Sequence, residues 1–247
     1  MRVLLVLPAY NEETALPSLF EAVRRELFQS RLGAAVVVVD DGSRDGTSRV
    51  IESWSARLPI HLVTHPVNQG LGATIRDGLE RAAALAESGD VIVTMDADNT
   101  HSPALVRDML ARLEEGFDLV IASRYRPGAA VHGLSCFRNW MSRGARALFQ
   151  IAAPMAGVRD YTSSFRAYRA RLIQQALARY PGRLVTEGGF TCMAEILLKL
   201  RPLGVRASEV PLILRYDRKA GASKMKVGPT VARTLGLLVR GRLGRLA

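Results

Sequence analysis

Short apolar runs rich in Val, Ile and Leu recur through the first half of the chain, each followed by polar residues. The runs are Val3–Leu7, Ala35–Val39, Ile60–Val63, Val91–Met95 and Leu119–Ala122. Each run is continuous rather than alternating, which is typical of strands that are buried on both faces of a parallel sheet. The pattern therefore predicts a sheet of buried strands in this half of the chain.

Helical periodicity separates these runs. After the first run, apolar residues follow the i, i+3, i+4, i+7 spacing of an amphipathic helix; they are Leu16, Leu19, Phe20, Val23 and Leu27. Similar patterns predict helices at about 46–57, 71–87 and 103–115. Because strands and helices alternate, the sequence predicts an α/β fold, with a Rossmann-like, mostly parallel central sheet flanked by helices.

Beyond Ser123 this alternation stops. We expect a loop at 124–133, a helix from Phe137 to Ile151 and an irregular segment at 160–169. A second helix is expected near Glu187–Lys199, followed by a β-like segment at 205–216. The second half is therefore predicted to complete a site on the sheet that the first half forms.

Charge narrows the classes of partner. The 247 residues include 34 Lys and Arg against 23 Asp and Glu, which gives a net charge of +11. Such a charge favours phosphate groups, nucleic acid or an acidic membrane surface as partners. A basic nucleic-acid-binding protein is one alternative, but aromatic residues for stacking are few and no binding motif is present. We therefore expect no nucleic-acid partner.

Hydropathy and cysteine usage bear on the compartment. No window approaches the roughly 20 apolar residues that a membrane-spanning helix needs, and Cys136 and Cys192 lack the spacing of a zinc site. We expect a cytoplasmic protein, in peripheral contact with the cytoplasmic face of a membrane. The basic C-terminal tail, residues 228–247, is predicted to be amphipathic, with Val231, Leu235 and Leu238 in one apolar stripe of a helix. It would lie on an anionic bilayer or dock on its own domain or a partner subunit.

Carboxylates follow several of the predicted strands. Asp40 and Asp41 follow the second apolar run, and Asp96 and Asp98 follow the fourth. Ligands of open α/β sheets bind beyond the carboxyl ends of the strands, and side chains two apart on a strand point the same way. Two carboxylates so placed suit Mg²⁺ or Mn²⁺. The alternative is that they cap helices or hold turns, and His101 is interpreted as a packed residue rather than a ligand.

Four motifs, in this order, carry a resemblance to a known family. They are PAYNE after the first run, VVVDDGSRDGT at the second, MDADNTH after the fourth and ASRYRPG after the fifth. Together they resemble glycosyltransferase family 2, and within it the dolichyl- and polyprenyl-phosphate mannosyltransferases in a short form without transmembrane helices. The match runs from about Val3 to Lys226. The resemblance implies a GT-A type fold.

The resemblance also implies roles for individual residues. Those expected to bind the nucleotide sugar are Pro8, Tyr10, Glu12, Asp41, Asp96, Ala97, Arg218 and Lys224. Those expected to bind the metal are Asp96 and Asp98, with Thr100 as the candidate third ligand where the family often has Gln. Those expected to receive the acceptor phosphate are Arg124, Arg138 and Ser142. Those with implied catalytic roles are Asp98, Arg124 and Asp160.

The activity that the resemblance implies is metal-dependent, inverting transfer of a hexose, with Mg²⁺ or Mn²⁺ as cofactor. The expected donor is a nucleotide diphosphate sugar, GDP-mannose, and the expected acceptor is a polyprenyl or dolichyl phosphate. Another donor, such as UDP-glucose, is one alternative. A soluble acceptor is another, since no membrane span is predicted and Leu134 stands near the place of a tryptophan common in the family. A phosphate acceptor with a second pKa of about 6 arrives largely ionised. It needs no strong general base, so Asp160 is expected to orient the site.

The same resemblance sets the expected domain boundaries. Residues 1–227 are expected to form one catalytic domain, with a nucleotide-sugar-binding half at 1–123 and an acceptor-binding half at 124–227. The basic tail occupies residues 228–247.

Overall fold

A computed structural model of the chain describes residues 1–28, 33–133, 144, 146–218 and 227–242, with the backbone alone at 218, 227–232 and 242. Its centre is a seven-stranded sheet in the order β3-β2-β1-β4-β7-β5-β8. The strands are β1 (Arg2–Ala9), β2 (Gly33–Asp40), β3 (Ile60–Thr64), β4 (Val91–Thr94), β5 (Leu119–Ser123), β7 (Arg166–Arg169) and β8 (Ala207–Pro211). A small parallel pair, β6 (Ala130–His132) and β9 (Ile213–Arg215), lies apart from it.

Helices connect the strands on both faces of the sheet. They are α1 (Leu16–Val23, extended by a π-helical turn at Arg24–Phe28), α2 (Thr47–Trp54), α3 (Leu71–Leu85), α4 (Val106–Glu114), α5 (146–152), α6 (Ala170–Arg179), α7 (Thr191–Leu200) and α8 (Val227–Arg242). Short 3₁₀ turns precede α4 at Pro103–Leu105 and follow α7 at Arg201–Leu203, and another lies at Tyr216–Arg218.

Alternate residues of β1 show how the sheet separates two cores. Leu4 and Val6 pack in a core that also contains apolar side chains of α3, α6 and α7. Val3, Leu5 and Leu7 point to the other face and pack with α1, α2 and α4. All five side chains are fully buried. A strand buried on both faces needs apolar residues at successive positions, which explains the continuous runs in the sequence.

The structure confirms the predicted fold class. Each of the five apolar runs forms a strand, and β3, β2, β1, β4, β5 and β8 are parallel to one another. Only β7 runs antiparallel among the seven strands of the described sheet, and it lies between β4 and β5. A mostly parallel sheet flanked by helices is therefore present.

Some predictions for the second half were wrong. Residues 166–169, predicted to be irregular, form β7, an interior strand of the sheet, and part of the predicted loop 124–133 forms β6. The arginine that opens β7 hid the strand, since Arg166 is fully buried and donates to the carbonyls of Met193 and Tyr161. Helix α6 was not predicted, and only residues 144 and 146–151 of the predicted helix 137–151 fall within the described chain.

Helix α8 docks on its own domain. Leu237 and Leu238 are buried in the core that contains α7, whereas Leu235 is 47% exposed and Val239 is 59% exposed. The predicted stripe of Leu235 and Leu238 is therefore not buried as a unit: the two residues lie only about 60° apart around the helix, but Leu238 is in the core and Leu235 is at the solvent edge. The Arg240 guanidinium contacts the Glu187 carboxylate and ties the outer part of the helix down. In the described residues, no helix combines the length and apolar character needed to cross a bilayer.

Candidate active site

The carboxyl ends of β1, β2, β4 and β5 lie at one edge of the sheet. Parallel pairing brings Ala9 beside Asp40, and Val6 beside Thr94, so the segments after these strands start close together. Because β7 is antiparallel, its beginning lies at this same edge, with Arg166 opposite Thr94. The segment that precedes β7 and contains Asp160 therefore reaches the edge at which the other predicted site residues lie.

Hydrogen bonds join the loops after β1 and β2. The amide of Asn11 donates to Ser43 Oγ at 3.0 Å, and Asn11 Oδ1 accepts from the amide of Arg44 at 2.8 Å. The amide of Glu12 donates to Thr47 Oγ1 at 2.8 Å. Asn11 adopts a positive φ of 53°, a conformation that Asn tolerates better than most residues. The predicted nucleotide-binding residues Tyr10 and Glu12 thus stand on a braced turn, and Pro8 lies at the end of β1 that leads into it.

The carboxylate of Asp41 is buried and holds the loop after β3. Its oxygens accept from the amides of Gln69 and Gly70, both at 2.8 Å, and from His65 Nδ1 at 2.7 Å. The other ring nitrogen of His65 lies 2.9 Å from Asp77 Oδ2. Both His contacts are hydrogen bonds when each nitrogen carries a proton. Although burial opposes it, hydrogen bonds from Arg76 and His65 lower the pKa of Asp77.

Sequence reasoning found Asp41 but missed His65, which contacts it, and Asp77, which contacts His65 in turn. His65 and Asp77 lie 12 residues apart, one after a strand and the other on α3, so no local motif joins them. The signal in the sequence was His65, the residue directly after β3. Its role as a bridge between two carboxylates depends on the fold.

The segment after β4 presents the paired aspartates. Asp98 is buried, and its Oδ1 accepts from the amide of Thr100 at 3.2 Å and from Thr100 Oγ1 at 2.6 Å. Asn99, with a φ of 61°, donates from its side chain to Ala15 O and Ser18 Oγ at 2.8 and 2.7 Å. Ala97 is buried between the two acids. The loop is thereby fixed to the start of α1, with Thr100 orienting the Asp98 carboxylate.

His101 packs in the structure, as the sequence interpretation expected. It is buried, its ring lies 5.1 Å from that of Phe165, and its Nδ1 accepts from the amide of Asp96 at 3.3 Å. An Nδ1 that accepts leaves the proton on Nε2 of a neutral ring. The contact positions the backbone of Asp96 instead of adding a nitrogen ligand.

Asp96 and Asp98 fit a hard divalent cation. Both offer only oxygen, Asp98 is held by two donors, and Asp96 is partly exposed at the ligand edge. Mg²⁺ usually keeps several waters and is bound by one or two carboxylates together with substrate phosphates. Among the described residues, no group of three or more His, Cys, Asp or Glu side chains could hold a metal. The donor set therefore suits a metal that is shared with a diphosphate.

Arg124 and Asp160 form a buried ion pair at the same edge. Arg124 follows β5, and its Nε and Nη2 donate to the two carboxylate oxygens of Asp160 at 2.8 and 2.7 Å. Thr162 Oγ1 accepts from Nη2 at 2.6 Å. Burial works against both charges, but the ion pair prevails and raises the pKa of Arg124 while lowering the pKa of Asp160. Asp160 therefore remains a carboxylate and is a weak proton acceptor.

Glu209 supports Asp160 from β8. Its Oε1 accepts from the amides of Arg159 and Asp160 at 2.6 and 2.7 Å, and its side chain is buried. Burial raises the pKa of the Glu209 carboxyl, against the lowering effect of these two amides. Sequence reasoning missed this residue. The available signal was a lone acid among the apolar positions of a predicted strand.

A cavity of about 610 Å³ adjoins the ion pair. Four arginines line it, Arg124, Arg126, Arg146 and Arg159, together with Tyr125, Pro127, Ala147 and Gln150. The Arg124 and Arg146 guanidinium groups both lie over the ring of Tyr125, with 5.6 and 4.9 Å between guanidinium carbon and ring centroid. The volume of the cavity falls in the range of small-molecule binding sites.

Some predicted site residues cannot be placed. Arg138, Ser142 and Lys224 lie outside the described residues, as does the side chain of Arg218. Of the predicted set, the structure brings Pro8, Tyr10, Glu12, Asp41, Asp96, Ala97, Asp98, Thr100, Arg124 and Asp160 to one edge of the sheet. Their roles remain predictions.

Comparison with known proteins settles the family. The sequence model described as Glycosyl transferase family 2 matches residues 4–177. The chain belongs to glycosyltransferase family 2. It is 32% identical over 232 residues to a dolichol-phosphate mannosyltransferase of Pyrococcus furiosus, covering 94% of the chain and 61% of that relative. It is 30% identical over 250 residues to a polyprenol monophosphomannose synthase of Mycolicibacterium smegmatis, covering 99% and 89%.

Solved structures match the fold of this family 2 chain. A glucosyl-3-phosphoglycerate synthase from Mycobacterium tuberculosis, in complex with Mn²⁺, UDP and glucosyl-3-phosphoglycerate, superimposes with a TM-score of 0.69. The match covers 98% of this chain and 80% of the other, at 20% identity. The same enzyme in complex with Mg²⁺ and UDP gives a TM-score of 0.67, also at 20% identity. The predicted family, enzyme class and GT-A type fold are therefore confirmed.

Proposed function

We propose that the chain transfers a hexose, mannose, from GDP-mannose to a polyprenyl phosphate at a membrane surface, with inversion and with Mg²⁺ or Mn²⁺. The observation that carries the proposal is the relation to two enzymes named for this class of product, one of which is matched over 89% of its length. The likeness to a synthase solved with Mn²⁺ and UDP supports use of a metal and a nucleotide donor.

The nucleotide sugar would bind at the ends of β1, β2 and β4. The braced turn at Tyr10 and Glu12 and the loop held by Asp41 would receive the nucleoside. Asp96 and Asp98 would hold the metal, with waters and the donor diphosphate as its remaining ligands. When bound, the metal would stabilise the negative charge that develops on the leaving diphosphate.

The acceptor phosphate would arrive from the side of Arg124. Nε and Nη2 of Arg124 donate to Asp160 and Thr162, so the N–H groups of Nη1 would bind the phosphate and orient the attacking oxygen toward the sugar carbon. The pairing with Asp160 fixes the guanidinium in place before the acceptor binds. Since the phosphate is already ionised, Asp160 would position Arg124 and take up no proton.

The test is a transfer assay with labelled GDP-mannose, a polyprenyl phosphate and Mn²⁺ or Mg²⁺, read by extraction into organic solvent. We expect label in the organic phase, loss with EDTA, and a fall in kcat of at least about 100-fold in Asp98→Asn, as when a charge-stabilising group is removed. Asp108→Asn, on α4, removes a carboxylate outside the site and should retain activity.

Parallel reactions with UDP-glucose and with water-soluble phosphate esters cover the alternatives. Label that appears only in a soluble product would overturn the lipid acceptor. Turnover of UDP-glucose alone would overturn the donor, and turnover in EDTA would overturn the metal.

A further inference from the structure

The cavity beside the Arg124–Asp160 pair, called here the arginine pocket, is lined by Arg124, Arg126, Arg146 and Arg159. It holds more positive charge than one acceptor phosphate requires. Its described lining contains four guanidinium groups and no carboxylate. Arg124 is balanced by Asp160 behind it, so the excess comes from Arg126, Arg146 and Arg159. These three side chains make no ion pair with a described residue. Like charges gathered in one cleft repel each other unless an anion lies between them.

Arg146 is held in the pocket by an aromatic ring. Its guanidinium lies 4.9 Å from the Tyr125 centroid, and its buried Nε has no acceptor within the described chain. Tyr125 also carries Arg124 over its ring. Stacking fixes the direction of a guanidinium while leaving its outward N–H groups available for oxyanions.

Arg159 is anchored through its backbone. Its amide donates to Glu209 Oε1 at 2.6 Å, and the next residue is Asp160. The side chain itself lines the pocket and is exposed. Arg126 follows Arg124 by two residues, and the carbonyl of Arg126 accepts from the amide of Ala129 at 3.0 Å, which closes a turn. Both arginines thus stand on ordered backbone beside the ion pair.

We propose that Arg126, Arg146 and Arg159 form a second oxyanion subsite, distinct from the acceptor phosphate at Arg124, which binds a phosphate or carboxylate group. The inference rests on the proposed function only for the role of Arg124. The oxyanion has two possible sources, the headgroup of an anionic lipid next to the acceptor and a free phosphate. Both present the oxygens that arginine recognises.

The first arm of the test titrates inorganic phosphate into the chain by calorimetry, at fixed ionic strength in chloride buffer. We expect the double variant Arg126→Gln/Arg159→Gln to weaken phosphate binding by about tenfold or more, since charge-assisted hydrogen bonds are lost. The control Arg81→Gln/Arg206→Gln removes the same charge from exposed positions, on α3 and just before β8, and should stay within about twofold. Arg124→Gln should retain a bound phosphate.

The second arm measures co-sedimentation with phosphatidylcholine vesicles, with and without phosphatidylglycerol. A lipid source predicts binding that needs phosphatidylglycerol, is lost in Arg126→Gln/Arg159→Gln and survives in the control. A free-phosphate source predicts tight phosphate binding with no such vesicle dependence.

Two results would overturn the subsite. In the first, the double variant matches the control in both arms. In the second, Arg124→Gln alone abolishes phosphate binding, which would indicate one site. Neither arm uses the donor, so failure of the subsite leaves mannosyl transfer intact, and failure of transfer leaves these binding results standing.

Discussion

At the scale of single residues, the Arg124–Asp160 pair is a buried ion pair with three hydrogen bonds between its partners. Asp160 has no exposed surface, and its carboxylate accepts from three groups of Arg124 and from the amides of Thr162 and Ser163. A carboxylate held this way has a fixed orientation. Removing either partner leaves the other charge buried and unpaired, which lowers the stability of the fold. The pair therefore makes a measurable contribution both to folding and to the orientation of Arg124.

We predict that Asp160→Asn lowers the free energy of unfolding by about 3 kcal/mol at pH 7, the lower end of the range for breaking a buried pair, because Arg124 still reaches solvent. The pKa of Asp160 is lowered in the folded chain, from about 3.9 when unfolded. Its contribution is thus complete above about pH 4 and disappears as the pH falls through the folded pKa. Urea denaturation at several pH values measures this.

Thr162→Val is the matched control for Asp160→Asn. It removes one neutral acceptor of Arg124 and a long hydrogen bond to Asp160 at 3.4 Å but keeps the ion pair, so it should cost about 1 kcal/mol with little change in the pH dependence. Equal losses in the two variants at pH 7 would contradict the ion-pair interpretation.

Sequence reasoning reached the residues that belong to motifs and missed those that the fold recruits. Asp96, Asp98 and Asp41 follow apolar runs, so their place at the ligand edge could be predicted. Glu209 and His65 come from segments with no motif, and they reach the site only because β8 lies next to β5 and β3 next to β2. Their contacts are long-range in sequence, which no local pattern encodes.

At the scale of elements, close backbone approach explains one glycine in the first turn of α3. A Cβ at Gly72 would lie 2.1 Å from the carbonyl oxygen of Glu187, whose amide is held in turn by Glu195 at 2.8 Å. Helix α3 therefore packs directly against the segment that precedes α7. This contact also joins the helix that follows the Asp41-held loop to the segment that Arg240 of α8 contacts.

We predict that Gly72→Ala destabilises the chain by about 1–3 kcal/mol, because the methyl group must displace backbone rather than a flexible side chain. Gly236→Ala is the matched change on α8, where the added Cβ meets nothing within 4 Å. It should raise stability by up to about 1 kcal/mol through helix propensity. Thermal denaturation of both variants measures these changes in stability. A Gly72→Ala variant as stable as the unchanged chain would contradict the close approach of the two backbone segments.

Element prediction succeeded where burial gives a simple pattern. The runs of β1, β2, β4 and β5 are buried on both faces of the sheet, which favours apolar residues at successive positions. The edge strand β3 differs, since it contains His61 and leaves Leu62 38% exposed.

Strand β7 was missed because it contains Arg166 and Arg169, which break the apolar pattern of a buried strand. Their guanidinium groups are accommodated by hydrogen bonds to backbone carbonyls, among them those of Met193 and Phe117. A buried polar strand of this kind can be recognised only when its partners are known.

At the scale of the whole molecule, α8 is part of the fold and not only an attachment to it. Its Leu237 is fully buried in the core that contains α3, α6 and α7. Its opposite face exposes Leu235 and Val239. The helix can therefore stabilise the domain with one face and still present the other to a surface.

We predict that Leu237→Ala lowers the free energy of unfolding by about 2–5 kcal/mol, the cost of a cavity in a packed core. Leu235→Ala removes the same atoms from the exposed face and should change it by less than about 0.5 kcal/mol. Denaturant unfolding of the two variants measures the difference. Equal effects would mean that α8 is detached from its domain in solution.

The position of β7 has a consequence for the order in which the chain folds. Both hydrogen-bonded neighbours of β5, the strands β7 and β8, come later in the sequence than β5 itself. A nascent chain that has emerged only as far as residue 123 can pair β1, β2, β3 and β4, but its fifth strand has no neighbour to pair with. The seven-stranded sheet is complete only after residue 211 has left the ribosome. A fragment that ends just after β5 would therefore carry an unpaired, aggregation-prone strand.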